Sequence, residues 1–204
     1  LYCKNVDFFR NLSNKTGQGD DMEAIAYSYQ DANTRIKIEL DGTSNFLFCL
    51  YSLPPVHVTK DRGFYKLPHK AINKFVQFFE NPWDVDCIYI PEPDEYISKV
   101  VEACKKKNIS VIPSMVSYVD TEKYAPNAKD VIHDRLEAVV TTSQSAYCVA
   151  FIKTTEYSWQ QEFRFLLYNI PENELGSMSD FFILDIGDVS NIVYRCPNCF
   201  APIL

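Results

Sequence analysis

The stretch YSWQQEFRFLLY, Tyr157 to Tyr168, constrains the fold more than any other part of the chain. Read as a strand, it sends alternate side chains to opposite faces. Gln160, Glu162 and Arg164, followed by Leu166, share one face; Gln161, Phe163, Phe165 and Leu167 share the other. The second face is core. The first begins as a row of amide, carboxylate and guanidinium. A strand with so apolar a second face belongs inside a sheet, where neither side meets free water. The polar row is then partly desolvated, and a desolvated carboxylate needs a partner or a chemical task. The plain alternative is an ion pair within the row or to a cross-strand neighbour, worth less than about 1 kcal/mol when exposed.

Composition narrows the class. A chain of 204 residues with 47% hydrophobic and 14% aromatic residues buries a substantial core, which excludes a disordered protein. The net charge of −7 gives no general attraction to nucleic acid or anionic lipid. The one basic run, Lys105-Lys106-Lys107, falls at the end of an expected helix, where it complements the dipole. Seven cysteines, an odd number and several within apolar runs, read as reduced thiols in a cytoplasmic protein. Cys196-Pro-Asn-Cys199 is a single knuckle with no second pair to complete a zinc site, and His57, His69 and His133 have no metal-type spacing, so no metal is expected. No stretch has the length of a membrane span or the form of a signal peptide. The chain begins at Leu1 rather than a methionine, so a trimmed front end is one expectation.

The element pattern is mixed. Residues 1–12 are apolar and aromatic, and 13–21 form a polar loop. Residues 22–29 read as a short helix or a strand. Residues 34–40 alternate as a half-buried strand, Asp41-Gly42 is a turn, and 45–53 form a buried strand, which together suggest a hairpin. A helix is expected from Pro68, with Ala71, Ile72, Phe75, Val76 and Phe79 as its apolar stripe. Residues 85–90, a helix opened by Pro93 with Tyr96, Ile97, Val100, Val101 and Cys104 facing the core, and 109–112 read as strand, helix, strand, the arrangement of a parallel crossover. After a polar connection (120–130), a short helix is expected over 131–140. A strand over 146–152 should pair with the 157–168 stretch. Strands over 181–186 and 191–194, separated by a turn at Gly187-Asp188, complete the chain. The order predicts one α+β domain over residues 1–204, with a mixed, largely antiparallel sheet flanked by several helices.

Glu162 with Gln160 two residues earlier has a definite chemical use. When nicotinamide leaves NAD, the ribosyl C1′ becomes cation-like, and one carboxylate can bind the ribose hydroxyl and stabilise that charge. A group two residues earlier can reach the acceptor. Gln160-Gln161-Glu162 resembles the Gln-x-Glu or Glu-x-Glu motif of ADP-ribosyltransferases in the Arg-Ser-Glu class. That resemblance implies NAD as co-substrate, an early-strand arginine (Arg10 or Arg35) and a strand serine (Ser52 or Ser143). Cys49, in an apolar strand without a nearby helix start or His, is not a nucleophile. A metal-dependent nuclease ranks lower, because Glu162-Phe163-Arg164 has Arg where the Glu-x-Lys motif wants Lys.

A second resemblance spans residues 8 to 164. Asp20-Asp21-Met22-Glu23 after a Phe-Arg segment, the strand Phe48-Cys49-Leu50-Tyr51-Ser52, and Phe151-Ile152-Lys153 leading into Glu162-x-Arg164 look like a widespread group of bacterial and phage proteins, some grouped with abortive-infection (phage-defence) proteins. Their usual elements are an early Asp-x-x-Glu, a Cys-x-Ser-like strand and a late Lys…Trp…Glu-x-Glu-x-Arg. Here Gln160 stands where many members have Glu, and Cys49 is three residues before Ser52 instead of two. The amide argues against an acid or base role at position 160, and Glu162 is the better catalytic candidate. Asp20 and Glu23 read locally as helix N-cap and capping-box partner, or else as ion-pair partners of Arg10 or Arg164 at a cleft.

Two functions follow as expectations. One is an ADP-ribosyltransferase-like toxin or phage-defence effector, with NAD against the Gln160/Glu162/Arg164 face and a protein acceptor or antitoxin-type partner. The other is a non-enzymatic phage-defence or phage-encoded protein binding a protein partner through that face. A cleft beside Glu162 with Arg and Ser converging marks the first. Pairing of Glu162 and Arg164 with each other, or with Asp20 or Glu23, marks the second.

Overall fold

In a computed structural model of the chain, the described residues are 1–12, 23–29, 35–52, 59–61, 64–66, 72–74, 77, 86–119, 145–175 and 180–196. The strands are β1 (Tyr2–Asn5), β2 (Ile25–Tyr29), β3 (Arg35–Glu39), β4 (Phe46–Tyr51), β5 (Thr59–Asp61), β6 (Phe64–Lys66), β7 (Cys87–Tyr89), β8 (Ser110–Met115), β9 (Ser117–Val119), β10 (Ile152–Thr154), β11 (Glu162–Tyr168), β12 (Phe181–Ile183) and β13 (Tyr194–Cys196). The helices are α1 (Val6–Asn11) and α2 (Pro93–Lys106), with 3-10 turns over Ser145–Phe151 and Thr155–Gln160. The fold is α+β. Its main sheet has the order β12-β1-β4-β11-β8, and every neighbouring pair is antiparallel.

β11 is internal, between β4 and β8, as its two-sided apolar content demands. Cys3, Phe46, Phe165, Leu167 and Phe182 line one face and pack against Tyr96, Val100, Ala103 and Cys104 of α2. Leu47 and Leu166 line the other, against Val6, Ala24, Leu40, Val149, Ala150 and Phe151. α2 begins with Pro93, Asp94 and Glu95 and ends with Lys105 and Lys106, so charges of favourable sign sit at both ends of its dipole. Val101, expected on the core side, is exposed, and Ala103 takes its place.

Several pairings differ from expectation. β3 pairs with β2 rather than with β4, so the hairpin lies one strand earlier. The reason is the turn after β3. The Asp41 carboxylate accepts from Thr43 N and the Thr43 and Ser44 hydroxyls, while Gly42 O and Asn45 O accept from Asp7 N and Val6 N at the start of α1. These bonds redirect the chain into the main sheet. A Cβ at Gly42 would meet the Asp7 carboxylate, so a larger residue there would displace the Asp7 side chain. The crossover also fails: β7 pairs antiparallel with β13, while β8 joins the main sheet through β11. Residues 145–151 form a 3-10 turn rather than a strand, and β10 pairs in parallel with β9 rather than with β11. Of the helix expected from Pro68, residues 72–74 are helical and most of the stripe lies outside the described residues, as do 120–130 and 131–140.

Cys3, Cys49, Cys104 and Cys148 are free, but Cys87 is disulfide-bonded, which corrects the expectation that all seven thiols are reduced. The backbone register of the β7–β13 ladder sets Cys87 opposite position 196. Among the described residues, no helix is long and apolar enough to cross a membrane.

Candidate functional site: a buried cluster of charge

Four charged side chains and one amide converge at the start of β11. Glu162 and Arg164 are two apart on the strand and project to the same side. Glu23 arrives from the turn before β2, and Lys153 from β10. All four are buried, Glu23 and Arg164 to 1% exposure. Gln160 is not on the strand. It ends the 3-10 turn, and Gln161 follows in the left-handed region at φ 44°. That uncommon backbone is held by Ser52 N, which donates to Gln161 O at 2.7 Å, and by the Gln161 amide, which donates to Ser158 O.

The hydrogen bonds form a closed set. Arg164 Nε donates to Glu162 Oε2 at 2.6 Å. Its Nη1 and Nη2 grip both oxygens of Glu23, the second at 2.9 Å, and Nη1 also donates to Ala150 O. Lys153 Nζ donates to Glu162 Oε1 at 2.8 Å and to Gln160 Oε1 at 2.9 Å, lies 3.5 Å from Glu23 Oε2, and stands over the Tyr157 ring. The backbone N–H of Glu162 donates to the Tyr118 hydroxyl at 2.9 Å. Two carboxylates and two cations cancel. Among the described residues, no buried side-chain N or O lacks a hydrogen-bond partner. Isolated, each ion would cost several kcal/mol to bury; together, with each buried nitrogen and oxygen partnered, they offset that penalty.

The electrostatics follow the contacts. Burial pushes the Glu162 carboxyl up, but Arg164 and Lys153 outweigh it and bring the pKa down to about 2. Burial works against the Lys153 ammonium, yet Glu23 and Glu162 raise it. Cys49 faces Arg164 in the β4–β11 register; burial and the Glu162 charge raise its thiol, which suits a core residue rather than a nucleophile.

The shift at Glu162 has a pH consequence. A carboxyl at 4.5 unfolded and about 2 folded contributes stability that is complete above about pH 4.5 and is lost as pH falls toward 2. The loss is on the order of 3 kcal/mol at one pKa unit per 1.36 kcal/mol. Urea unfolding at pH 5, 4 and 3 should show this decline, and Glu162→Gln should flatten it. An unchanged slope in the variant would assign the acid sensitivity to other carboxylates.

Of the residues singled out in the sequence, Glu23, Gln160, Glu162 and Arg164 meet in the cluster. Glu23 does not cap a helix: the chain from Ile25 is a strand, and its carboxylate is committed to Arg164. Arg10 stands behind the cluster, its guanidinium donating to the Glu23, Ala24 and Leu40 carbonyls and pairing with Asp7 and Glu39. It fixes the backbone that delivers Glu23. Ser52 lies next to Gln161 through its backbone N–H. Arg35 faces Tyr29 in the β2–β3 register, and Asp20 and Ser143 lie outside the described residues. Sequence reasoning left out Lys153 as a site residue, although a lysine directly closing the apolar run CVAFI is a signal that marks it.

A cavity of about 450 Å³ lies elsewhere, between the C-terminal end of α2 and residues 185–188, and does not border the cluster. No protein family, curated protein or solved structure matches this chain.

Proposed function

We propose that this protein is a non-enzymatic member of the phage-defence-related group it resembles, working in the cytoplasm by binding a protein partner. The observation that carries this reading is the commitment of Glu162. One of its oxygens is held by Lys153 and the other by Arg164, and Glu23 takes up the rest of the guanidinium. The side chain is also buried, so a ribose hydroxyl would reach its remaining lone pairs only if the cluster opened. The Gln160, Glu162 and Arg164 side chains are buried, so their role in binding is to hold the sheet in shape. The contact surface is then the β12–β1 edge. Tyr2, Phe181 and Ile183 stand exposed there, with Tyr2 and Phe181 stacked at 4.9 Å and Lys4 over both rings. Adjoining apolar side chains on a sheet edge favour a protein contact.

A second reading, the ADP-ribosyltransferase-like toxin or effector using NAD, draws support from the ionised state of Glu162. A carboxylate with a pKa of about 2 is fully charged at neutral pH, as stabilising a ribosyl cation requires.

Calorimetric titration with NAD and an assay of nicotinamide release, on the native chain and on Glu162→Gln, separate the two. The expected result is no saturable NAD binding and no release from either form, with the variant less stable. Saturable binding with release that disappears in the variant would overturn the binding-module reading in favour of the transferase.

A further inference from the structure

Granting that the β12–β1 edge is the contact surface, we propose that the partner adds an extended, carboxylate-bearing segment to the main sheet as a further strand beside β12, with its carboxylate on Lys4.

The main-chain bonds of β12 show which of its groups are open. Asn5 N donates to Asp180 O at 3.0 Å, and Leu184 N donates to Leu1 O at 2.8 Å. Tyr2 stands opposite Ile183, Cys3 opposite Phe182 and Lys4 opposite Phe181. In that register residues 180, 182 and 184 turn their N–H and C=O groups toward β1, and Phe181 and Ile183 turn theirs outward. β12 ends the sheet order, and among the described residues no strand lies beyond it. Two residues with outward donors and acceptors, spaced two apart, are what an added strand pairs with. The other edge of the sheet is blunted. Val116 N donates to Glu162 O, so in the β8–β11 register it is Pro113 that faces outward, and it has no N–H to give.

The side chains specify what the segment carries. Alternation sets Tyr2, Lys4, Phe181 and Ile183 on one face and buries Cys3 and Phe182 on the other. The Lys4 ammonium lies 4.1 Å from the Phe8 ring centroid, 5.0 Å from that of Tyr2 and 5.6 Å from that of Phe181. Among the described residues it pairs with no carboxylate. The exposed Asp180 falls on the opposite face, with Phe182. A cation resting on π-faces keeps N–H donors for an anion from outside. A residue of the added strand opposite Phe181 lies two strand spacings, about 10 Å, from Lys4, within the joint reach of a lysine and a glutamate. Its neighbours on that face would cover the exposed Phe181 and Ile183. A second copy of this chain fits less well. Its β12 would bring Phe181 and Ile183 to that face and no carboxylate, and two chains of net charge −7 repel.

The probe is a yeast-displayed library of random linear peptides, panned on the full chain. The expected result is enriched peptides that carry Asp or Glu among β-branched residues and that protect the Phe181 and Ile183 amides from hydrogen exchange. Ile183→Pro removes one outward N–H and leaves the bonds to β1, so it should weaken these peptides about tenfold, the loss of one interface hydrogen bond. Lys4→Gln should weaken them and reduce their sensitivity to salt. Binding that is lost in Phe181→Ser but ignores Ile183→Pro or Lys4→Gln would overturn the added strand or its charge, and leave the contact surface standing. No enriched peptide, or none that responds to a change at Tyr2, Lys4, Phe181 or Ile183, would sink both. A chain that sediments as a dimer, and as a monomer once Ile183→Pro is made, gives the edge to a second copy and overturns the proposal. Amide protection in the native chain decides even where a variant fails to fold.

Discussion

Arg164→Met should lower the unfolding free energy by about 3–5 kcal/mol, the cost of breaking a buried charge pair from one side. The guanidinium makes four hydrogen bonds: one to Glu162, two to Glu23 and one to the Ala150 carbonyl. Methionine fills much of its volume but offers no donor. Glu23, at 1% exposure, is left beside Lys153 at 3.5 Å as its remaining cation, and two carboxylates then share one ammonium. Urea unfolding monitored by tryptophan fluorescence reads the shift directly. Replacing Glu23, Lys153, Glu162 and Arg164 together by apolar residues of similar size should recover most of the loss, since a removed network costs far less than a broken one. A loss below about 1 kcal/mol in Arg164→Met would mean that water reaches the carboxylates, because exposed pairs are worth no more than that.

The second large effect lies on the opposite face of the same strand. Phe165→Ala should cost about 3–5 kcal/mol, the range for emptying a buried aromatic site. Phe165 has no exposure and meets Phe163, Phe48 and Tyr96 at centroid distances of 5.3, 6.3 and 6.3 Å. It is where β11, β4 and α2 touch one another, so the cavity has three rigid walls and collapses poorly. Phe165→Leu should cost less, because it leaves a smaller void. An alanine cost near that of an exposed aromatic would show that α2 closes over the gap.

The two faces of β11 were legible because alternation depends only on the strand period. The desolvation of Glu162 and Arg164 followed from their standing against Phe163, Phe165 and Leu167, whereas Gln160, read onto the same strand face, ends the 3-10 turn before it. α2 was legible from Pro93, its acidic first turn and its apolar stripe. Strand partners were not, because period says which way a side chain points and nothing about which strand lies alongside. β3 and β4 looked like a hairpin until the Asp41 side-chain bonds redirected the chain between them. The run Ser145–Phe151 was read as a strand because a short buried apolar run has the same sequence appearance in a strand and in a 3-10 turn. In the cluster, Glu23 was visible as one of two alternatives, and its capping role lost to Arg164. Lys153 was visible at the end of the apolar run CVAFIK and within the second resemblance, but without a role in the site. A single lysine after apolar residues reads as a strand end until the tertiary fold buries it.

The Glu23–Arg164 pair joins residues 141 apart, and β1 pairs with both β4 and β12, which lies at the far side of the chain. In the main sheet, β4 waits for β11 across more than a hundred residues of sequence. Long-range pairings of this kind close slowly, because loop entropy is lost before any contact repays it. During synthesis, the apolar strand Phe46–Tyr51 leaves the ribosome long before the strand that will cover its other edge. The ion cluster cannot form until Arg164 is made, so it acts as a late checkpoint on assembly. A growing chain of this protein therefore needs protection from association with its neighbours until most of the sequence has emerged.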